Sequence, residues 1–404
     1  MSKNHLLLSV ALVLMVSLAA CSVSSLSTSP LSRPDSPLPS STPLPSPTWT
    51  PTAELRPTFT ETPVPTPTET PMPTPVPLYT GGVWECWDRG QSVPCAYDAS
   101  LSLKQMAFVS DTEAWAVGAG GYIARWDGYT WTRVGSPTDR DLNDVVFLSP
   151  DNGWAVGEGG IILHWDGSRW SVAREPQPYP QPGGYYLRWN GVAFSSPDDG
   201  WVVGCIDSEG GSEGYIMHWN GMAWEEPPAV PPPYDSYTSP SRLFDVKAFS
   251  RQDAWMIGEG FRGGLTLHWN GVLWQEVVNP TQSAVFGRYW LLSISALSRD
   301  NIWVAGWYEG AAIRGDGVVL HWDGAEWTEI RLIEAGRVNV ILMVSRDNGW
   351  IGGDELFHWN GQQWEGATNP AVDRTVGIES SPSGEIWALT QHGAFLHLKA
   401  GGVR

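Results

Sequence analysis

Seven tryptophans, Trp115, Trp154, Trp201, Trp255, Trp303, Trp350 and Trp387, each open an apolar segment directly after a short polar turn. All but the last run on to a second signature, seen at Leu163-His164-Trp165-Asp166-Gly167-Ser168-Arg169-Trp170. Self-similarity on this scale means one small unit stacked on copies of itself, because a single unit cannot bury its own apolar face. It constrains the fold more than any local propensity does.

One copy read strand by strand gives the architecture. Residues 142–148 form a first strand, 149–153 a turn, 154–157 a second strand and 161–165 a third. Asp166-Gly167 then reads as a two-residue hairpin turn into a fourth strand, 168–173. Asp-Gly and Asn-Gly favour such turns because they tolerate positive φ. They recur at Asp127-Gly128, Asn220-Gly221, Asn270-Gly271, Asp323-Gly324 and Asn360-Gly361. Four antiparallel strands repeated seven times predict an all-β chain folded as a seven-bladed β-propeller.

That turn assignment sets a register. Trp165 is expected opposite Ser168, and Leu163 opposite Trp170. The same count places Trp131 against Ala124, Trp224 against Met217, Trp274 against Leu267, Trp327 against Leu320 and Trp364 against Phe357. The repeated tryptophans are therefore expected to be packing between blades rather than ligand platforms.

The seventh copy stops without its hairpin and outer tryptophan. Gly81-Gly82-Val83-Trp84, far upstream, repeats the spacing from turn glycine to tryptophan. Residues 82–87 are predicted to supply the missing outer strand, which leaves no open sheet edge. Of the three cysteines beyond Cys21, Cys86 and Cys95 are expected to pair and staple this strand to the loop that follows. Cys205 is left as an unpaired thiol.

His164, His218, His268, His321, His358 and His397 share one repeat position. Equivalent positions in successive blades are spread around a ring, whereas metal ligands must converge. They are read as groups satisfying partners between blades, with no metal and no cofactor.

The chain before the repeats is organised differently. Lys3 precedes an apolar run from Leu6 to Ala20 that is short for a membrane span. Residues 22–79 are dominated by Ser, Thr and Pro and hold almost nothing to bury, as in a disordered, extended stalk. The domain reading is a signal peptide over 1–21, the stalk over 22–79 and the propeller over 80–404. A formal charge of −19 argues against a nucleic-acid partner and against attraction to an anionic membrane surface.

Two resemblances sharpen this reading. Leu18-Ala19-Ala20-Cys21 resembles the bacterial lipobox, which implies that Cys21 carries lipid and that the protein sits on the outer face of a bacterial membrane. Asp151-Asn152-Gly153-Trp154-Ala155-Val156-Gly157, followed by Gly160-Ile161-Ile162 and Asp166-Gly167, resembles the repeat of the photosystem II assembly factor family of seven-bladed propellers. It is similar also to the Asp-box repeats of sialidase-like proteins. The His-Trp-Asp/Asn-Gly variant of the hairpin departs from both families and is similar to repeats of bacterial surface and secreted propellers. The resemblance implies a fold; a photosynthetic role is not implied.

Function is expected where the repeats are uneven. Successive tryptophans are 39, 47, 54, 48, 47 and 37 residues apart, so the middle copies carry insertions. These fall between second and third strands (205–214, 259–264, 307–317) and between blades (174–188, 225–242, 278–290). In an up-and-down blade both classes lie on one face, where insertions build binding surfaces. The candidate face comprises Tyr185, Tyr186, Tyr234, Tyr237, Phe261, Arg262, Arg288, Tyr289, Trp290, Trp307, Tyr308, Arg314 and Asp316. Aromatics with a polar handle suit a protein or glycan ligand bound by a monomer. The alternatives are a sialidase-like glycoside hydrolase, drawing on that arginine cluster and Tyr289, and an assembly factor for a membrane complex. No catalytic residue is assigned.

Overall fold

The computed structural model describes residues 79–176, 184–209, 211–227, 242–260, 263–283, 288–310, 315–332 and 335–400. Residues 1–21, read as a signal peptide with Cys21, and nearly all of the Ser/Thr/Pro-rich segment lie outside them, as do Tyr234, Tyr237, Phe261, Arg262 and Arg314.

Seven antiparallel sheets follow one another along the chain. Blades 1 to 6 span residues 103–133, 142–174, 186–225, 242–276, 288–332 and 338–367. In each, the strands hydrogen-bond in sequence order. Blade 7 combines Thr375–Ser380, Ile386–Thr390 and Phe395–Ala400 with Gly82–Asp88 from the start of the domain. Gly82 pairs with Ala400 and Cys86 with Leu396, so the ring is closed by an N-terminal outer strand. Gln91–Ser92 adds a short fifth strand, and a disulfide joins Cys86 to Cys95.

The outer hairpins differ from the expected register. Trp170 faces Trp165, and Trp131, Trp224, Trp274, Trp327 and Trp364 likewise face Trp126, Trp219, Trp269, Trp322 and Trp359. The loop has four residues because the Asp or Asn side chain caps it. Asp166 Oδ1 accepts from the backbone N–H of Ser168 (2.8 Å) and Arg169 (2.9 Å). Gly167 at φ 88° makes the bend that this Asx turn needs.

The histidine expectation is corrected too: each partner lies within the same blade. His164 donates from Nε2 to Asn152 Oδ1 (3.1 Å), as His321 does to Asn301 (3.1 Å) and His358 to Asn348 (3.0 Å). In blades 3 and 4 the acceptors are the carboxylates Asp199 (2.7 Å) and Asp253 (3.0 Å). Each of these rings also packs against the second-strand tryptophan of its own blade, His164 against Trp154 for example, with centroids 4.4 Å apart and planes at 42°. The residue opening the second strand is thus chosen to hold the histidine.

The first strand of every blade lines the central channel. Each carries a bulge at the same height, for instance between Leu142 and Asp144 and between Leu243 and Asp245. The bulge turns the following side chain toward the neighbouring blade. Asp144 Oδ2 accepts from the Val192 N–H of blade 3 (2.8 Å), and Asp245 Oδ2 from the Ile294 N–H of blade 5 (2.9 Å). Asn143 and Asn190, on the bulges themselves, donate to Trp189 O and Leu243 O at 2.7 Å each. Polar stitches therefore fix the blade spacing that the tryptophans pack.

A recurring glycine on the second strand follows from close approach to the start of the first strand in its own blade. A Cβ on Gly157, Gly204 or Gly353 would sit 1.9 Å from a carbonyl oxygen of the adjacent first strand.

Candidate functional site: the insertion-bearing face

The three insertions between second and third strands extend those strands. Residues 205–208 pair with 211–214, Glu259 and Gly260 pair with Gly264 and Gly263, and Trp307 and Tyr308 pair with Gly317 and Asp316. The longer hairpins of blades 3 and 5 raise their polar ends above the ring, and charged residues there meet across the seams.

Arg188, at the head of blade 3, bonds the Asp207 carboxylate of its own blade and lies 3.9 Å from Glu158 of blade 2. Arg242 of blade 4 reaches back to Asp207 (3.6 Å) and across to Glu259 (3.6 Å). Arg288 of blade 5 donates from Nε to Glu259 Oε1 at 2.8 Å. The result is an alternating circuit of three carboxylates and three guanidiniums over blades 2 to 5. Glu259 is 4% exposed at its centre, where pairing to two arginines offsets the cost of burying its charge.

The circuit ends on aromatic rings. The Arg288 and Arg242 guanidiniums lie 4.8 and 5.7 Å from the Trp290 ring. Trp290 and Trp307 are parallel, 2° apart with centroids separated by 5.8 Å. Arg337 of blade 6 caps Trp307 at 4.7 Å. Half-buried indoles held between guanidiniums form a rigid platform with polar edges.

The remaining candidate residues divide between presentation and support. Tyr185 is 51% exposed at the entry to blade 3, and Tyr186 lines a hollow of about 440 Å³ with Arg140, Asp207 and Ser208. Burial, together with the Glu158 carboxylate, raises the Tyr186 hydroxyl well above its ordinary pKa. Tyr289, by contrast, is 3% exposed, packed against Tyr308 at 4.7 Å, and accepts a hydrogen bond from Arg331. Burial raises its pKa, so it is a neutral packing residue. Asp316 lies 3.8 Å from Arg331 and helps to position it.

Cys205 is buried beneath the circuit, with Arg188 Nη2 3.8 Å from its sulfur. Burial raises its pKa, which suppresses the thiolate. No group of three or more His, Cys, Asp or Glu side chains among the described residues is disposed to hold a metal ion.

Sequence reasoning named Arg288, Trp290 and Trp307 but missed Glu158, Arg188, Arg242, Glu259 and Arg337 as members of the site. A signal was present. Arg188, Arg242, Arg337 and Arg374 occupy one repeat column, each directly before the inner-strand residue at which the bulge begins.

No known protein-family model matches the chain, and no curated protein matches it. Among solved structures it is similar to "YCF48 bound to D1 peptide", at 17% identity over 80% of this chain and 99% of that one, with a TM-score of 0.55. A streptogramin B lyase is 15% identical over 78% and 98%, with a TM-score of 0.52. The WD40 repeats of RRP9 are 10% identical over 76% and 99%, with a TM-score of 0.54. At such identities these likenesses bear on the fold alone.

Proposed function

We propose that this protein is a lipid-anchored recognition module, exported and tethered through Cys21, that binds a segment of a partner protein on its insertion-bearing face. The arginine–carboxylate circuit leading onto the Trp290–Trp307 platform carries this reading. Its charges are paired before any ligand arrives, so the groups are already oriented, and preorganised donors and aromatic faces are what peptide recognition uses. A propeller of similar fold has been solved with a peptide bound, which makes a peptide ligand a reasonable expectation here. The lipobox-like Leu18-Ala19-Ala20-Cys21 and the Ser/Thr/Pro-rich segment support display on a stalk at the outer face of a bacterial membrane.

The glycosidase alternative gains nothing from Tyr289, which is buried, neutral and already bonded to Arg331. The test is capture from an envelope extract by the full chain and by the Arg242→Ala and Trp307→Ala variants. Recovery of one protein species should fall about tenfold in both, the equivalent of one lost hot-spot contact. Identical capture by all three proteins, or cleavage of fluorogenic glycosides by the wild type, would defeat the reading. Loss of lipid labelling in Cys21→Ser tests the anchor separately.

A further inference from the structure

A second hollow, of about 840 Å³, opens on the seam between blades 6 and 7, beyond the end of the arginine circuit. Its volume lies within the roughly 300–1,000 Å³ of small-ligand sites. Its charges are unmatched where those of the circuit are paired. Asp354, Glu355 and Asp373 line it, answered by a single guanidinium, Arg374, whose Nε is 2.8 Å from Asp354 Oδ1.

Most of the carboxylate oxygens are occupied. Burial pushes the Asp373 carboxyl up, but hydrogen bonds, chiefly from His392, outweigh it and hold the group below its ordinary pKa. Its oxygens accept from His392 Nδ1 (2.9 Å) and from the His392 N–H (2.8 Å). Asp354 Oδ2 accepts from the Arg337 N–H (3.0 Å). Only the exposed Glu355 keeps its oxygens open, which is too few for a metal ion. An organic cation needs no coordination sphere, only negative potential and a surface to lie on.

That surface is present. Tyr97 is 63% exposed, lines the groove and is held by the His392 ring, with centroids 4.6 Å apart. Val372, also lining the groove, is 93% exposed and adopts φ 51°, an unusual conformation for a β-branched residue. An alkyl stem fits along Val372 while its charged head meets the Tyr97 face and Glu355. Lysine and arginine side chains have this form. We propose that the blade 6–7 groove binds a lysine or arginine side chain presented on an extended segment of a partner protein. This site does not rest on the arginine-circuit reading and can fail or hold independently of it.

The probe is fluorescein-labelled hexa-arginine, with hexa-citrulline as the uncharged isostere, titrated by fluorescence anisotropy against the full chain at physiological salt. Hexa-arginine should bind and hexa-citrulline should bind at least about tenfold more weakly. Tyr97→Ala and Glu355→Gln should each weaken hexa-arginine about fivefold without changing the melting temperature. Glu175→Gln removes the same charge from an exposed position on blade 2 and should leave the affinity unchanged. An equal loss in Glu175→Gln would reduce the effect to the net charge of −19 and overturn the proposal. Equal binding of hexa-citrulline would overturn it as well, as would free spermine binding as tightly as the peptide and insensitively to Tyr97→Ala.

Discussion

Trp84 sets the edge of its indole on Trp350, with centroids 5.0 Å apart and planes at 85°. The same pose recurs for Trp170 on Trp115, Trp224 on Trp154, Trp274 on Trp201, Trp327 on Trp255 and Trp364 on Trp303, at 81–82° and 5.0–6.2 Å. In each pair the outer strand of one blade packs on the second strand of the blade before it. Trp84 is therefore the outer-strand tryptophan of blade 7. Tyr79, 4.9 Å from Trp350, fills the place where other blades have a third-strand tryptophan and blade 7 has Leu398.

Trp84→Ala should accordingly behave as a core deletion. A buried tryptophan truncated to alanine costs about 3–5 kcal/mol. Chemical denaturation should show a loss in that range, matched by Trp170→Ala in blade 2. A loss under about 1 kcal/mol would mean that the N-terminal strand is peripheral to the ring.

The Cys86–Cys95 bridge closes a short loop, with a sequence separation of 9. By loop-closure entropy it should contribute about 2–3 kcal/mol. A Cys86→Ser/Cys95→Ser double variant should lose this amount, and reducing agent should lower the melting point of the wild type but not of the variant.

The central channel predicts a falling alkaline limb of stability. Burial raises Glu379 to about 7, with Lys247 opposing and Asp245 adding to the shift, and burial raises Asp245 to about 6. A carboxyl raised in the folded state contributes stability that is full below its unfolded pKa and lost as pH rises through the folded one. The contribution of these carboxyls, read as the difference in melting temperature between the wild type and Glu379→Gln, should therefore fall between about pH 4.5 and 7.5. Glu379→Gln should melt higher than the wild type at pH 8.

The histidines predict the opposite limb. Burial lowers His164, His321, His358 and His397. A group depressed in the folded state contributes stability present above its unfolded pKa, about 6.5, and lost as pH falls through the folded value. His164→Gln should lose stability at pH 7.5, and its deficit relative to the wild type should shrink between pH 6.5 and 5, measured by thermal melts of both proteins across that range.

Gly353→Ala places a Cβ 1.9 Å from Arg337 O, and this contact is with backbone, which cannot swing aside. A loss of about 3 kcal/mol or more is expected. Gly135, with nothing within 4 Å and an ordinary φ, is the control, and Gly135→Ala should melt like the wild type.

The blade number, the strand order and the closing strand were legible because each is written into a column that recurs. The hairpin register was not, since Asp166 can begin either a two-residue turn or an Asx-capped loop, and only its bonds to Ser168 and Arg169 decide between them. The arginine circuit was half legible. Arg188 and Arg242 share a column, yet their partners Glu158, Asp207 and Glu259 come into reach only when neighbouring blades are set side by side. Tyr289 and Tyr308 looked alike in sequence to Trp290 and Trp307. Strand alternation sends the tyrosines into the seam and the tryptophans onto the face.

The pairing of Gly82–Asp88 with Phe395–Ala400 also sets an order of events. Lys399 Nζ meets Ser92 Oγ 307 residues away along the chain. The outer strand of blade 7 is thus made before the other blade strands and is the last to find its partner, because blade 7 cannot form until Phe395–Ala400 has been made. Until then the emerging chain is an open arc with Trp84 and Trp350 uncovered. Protection of these two indoles from solvent is accordingly a clock for the final step of folding, one that no internal seam can report.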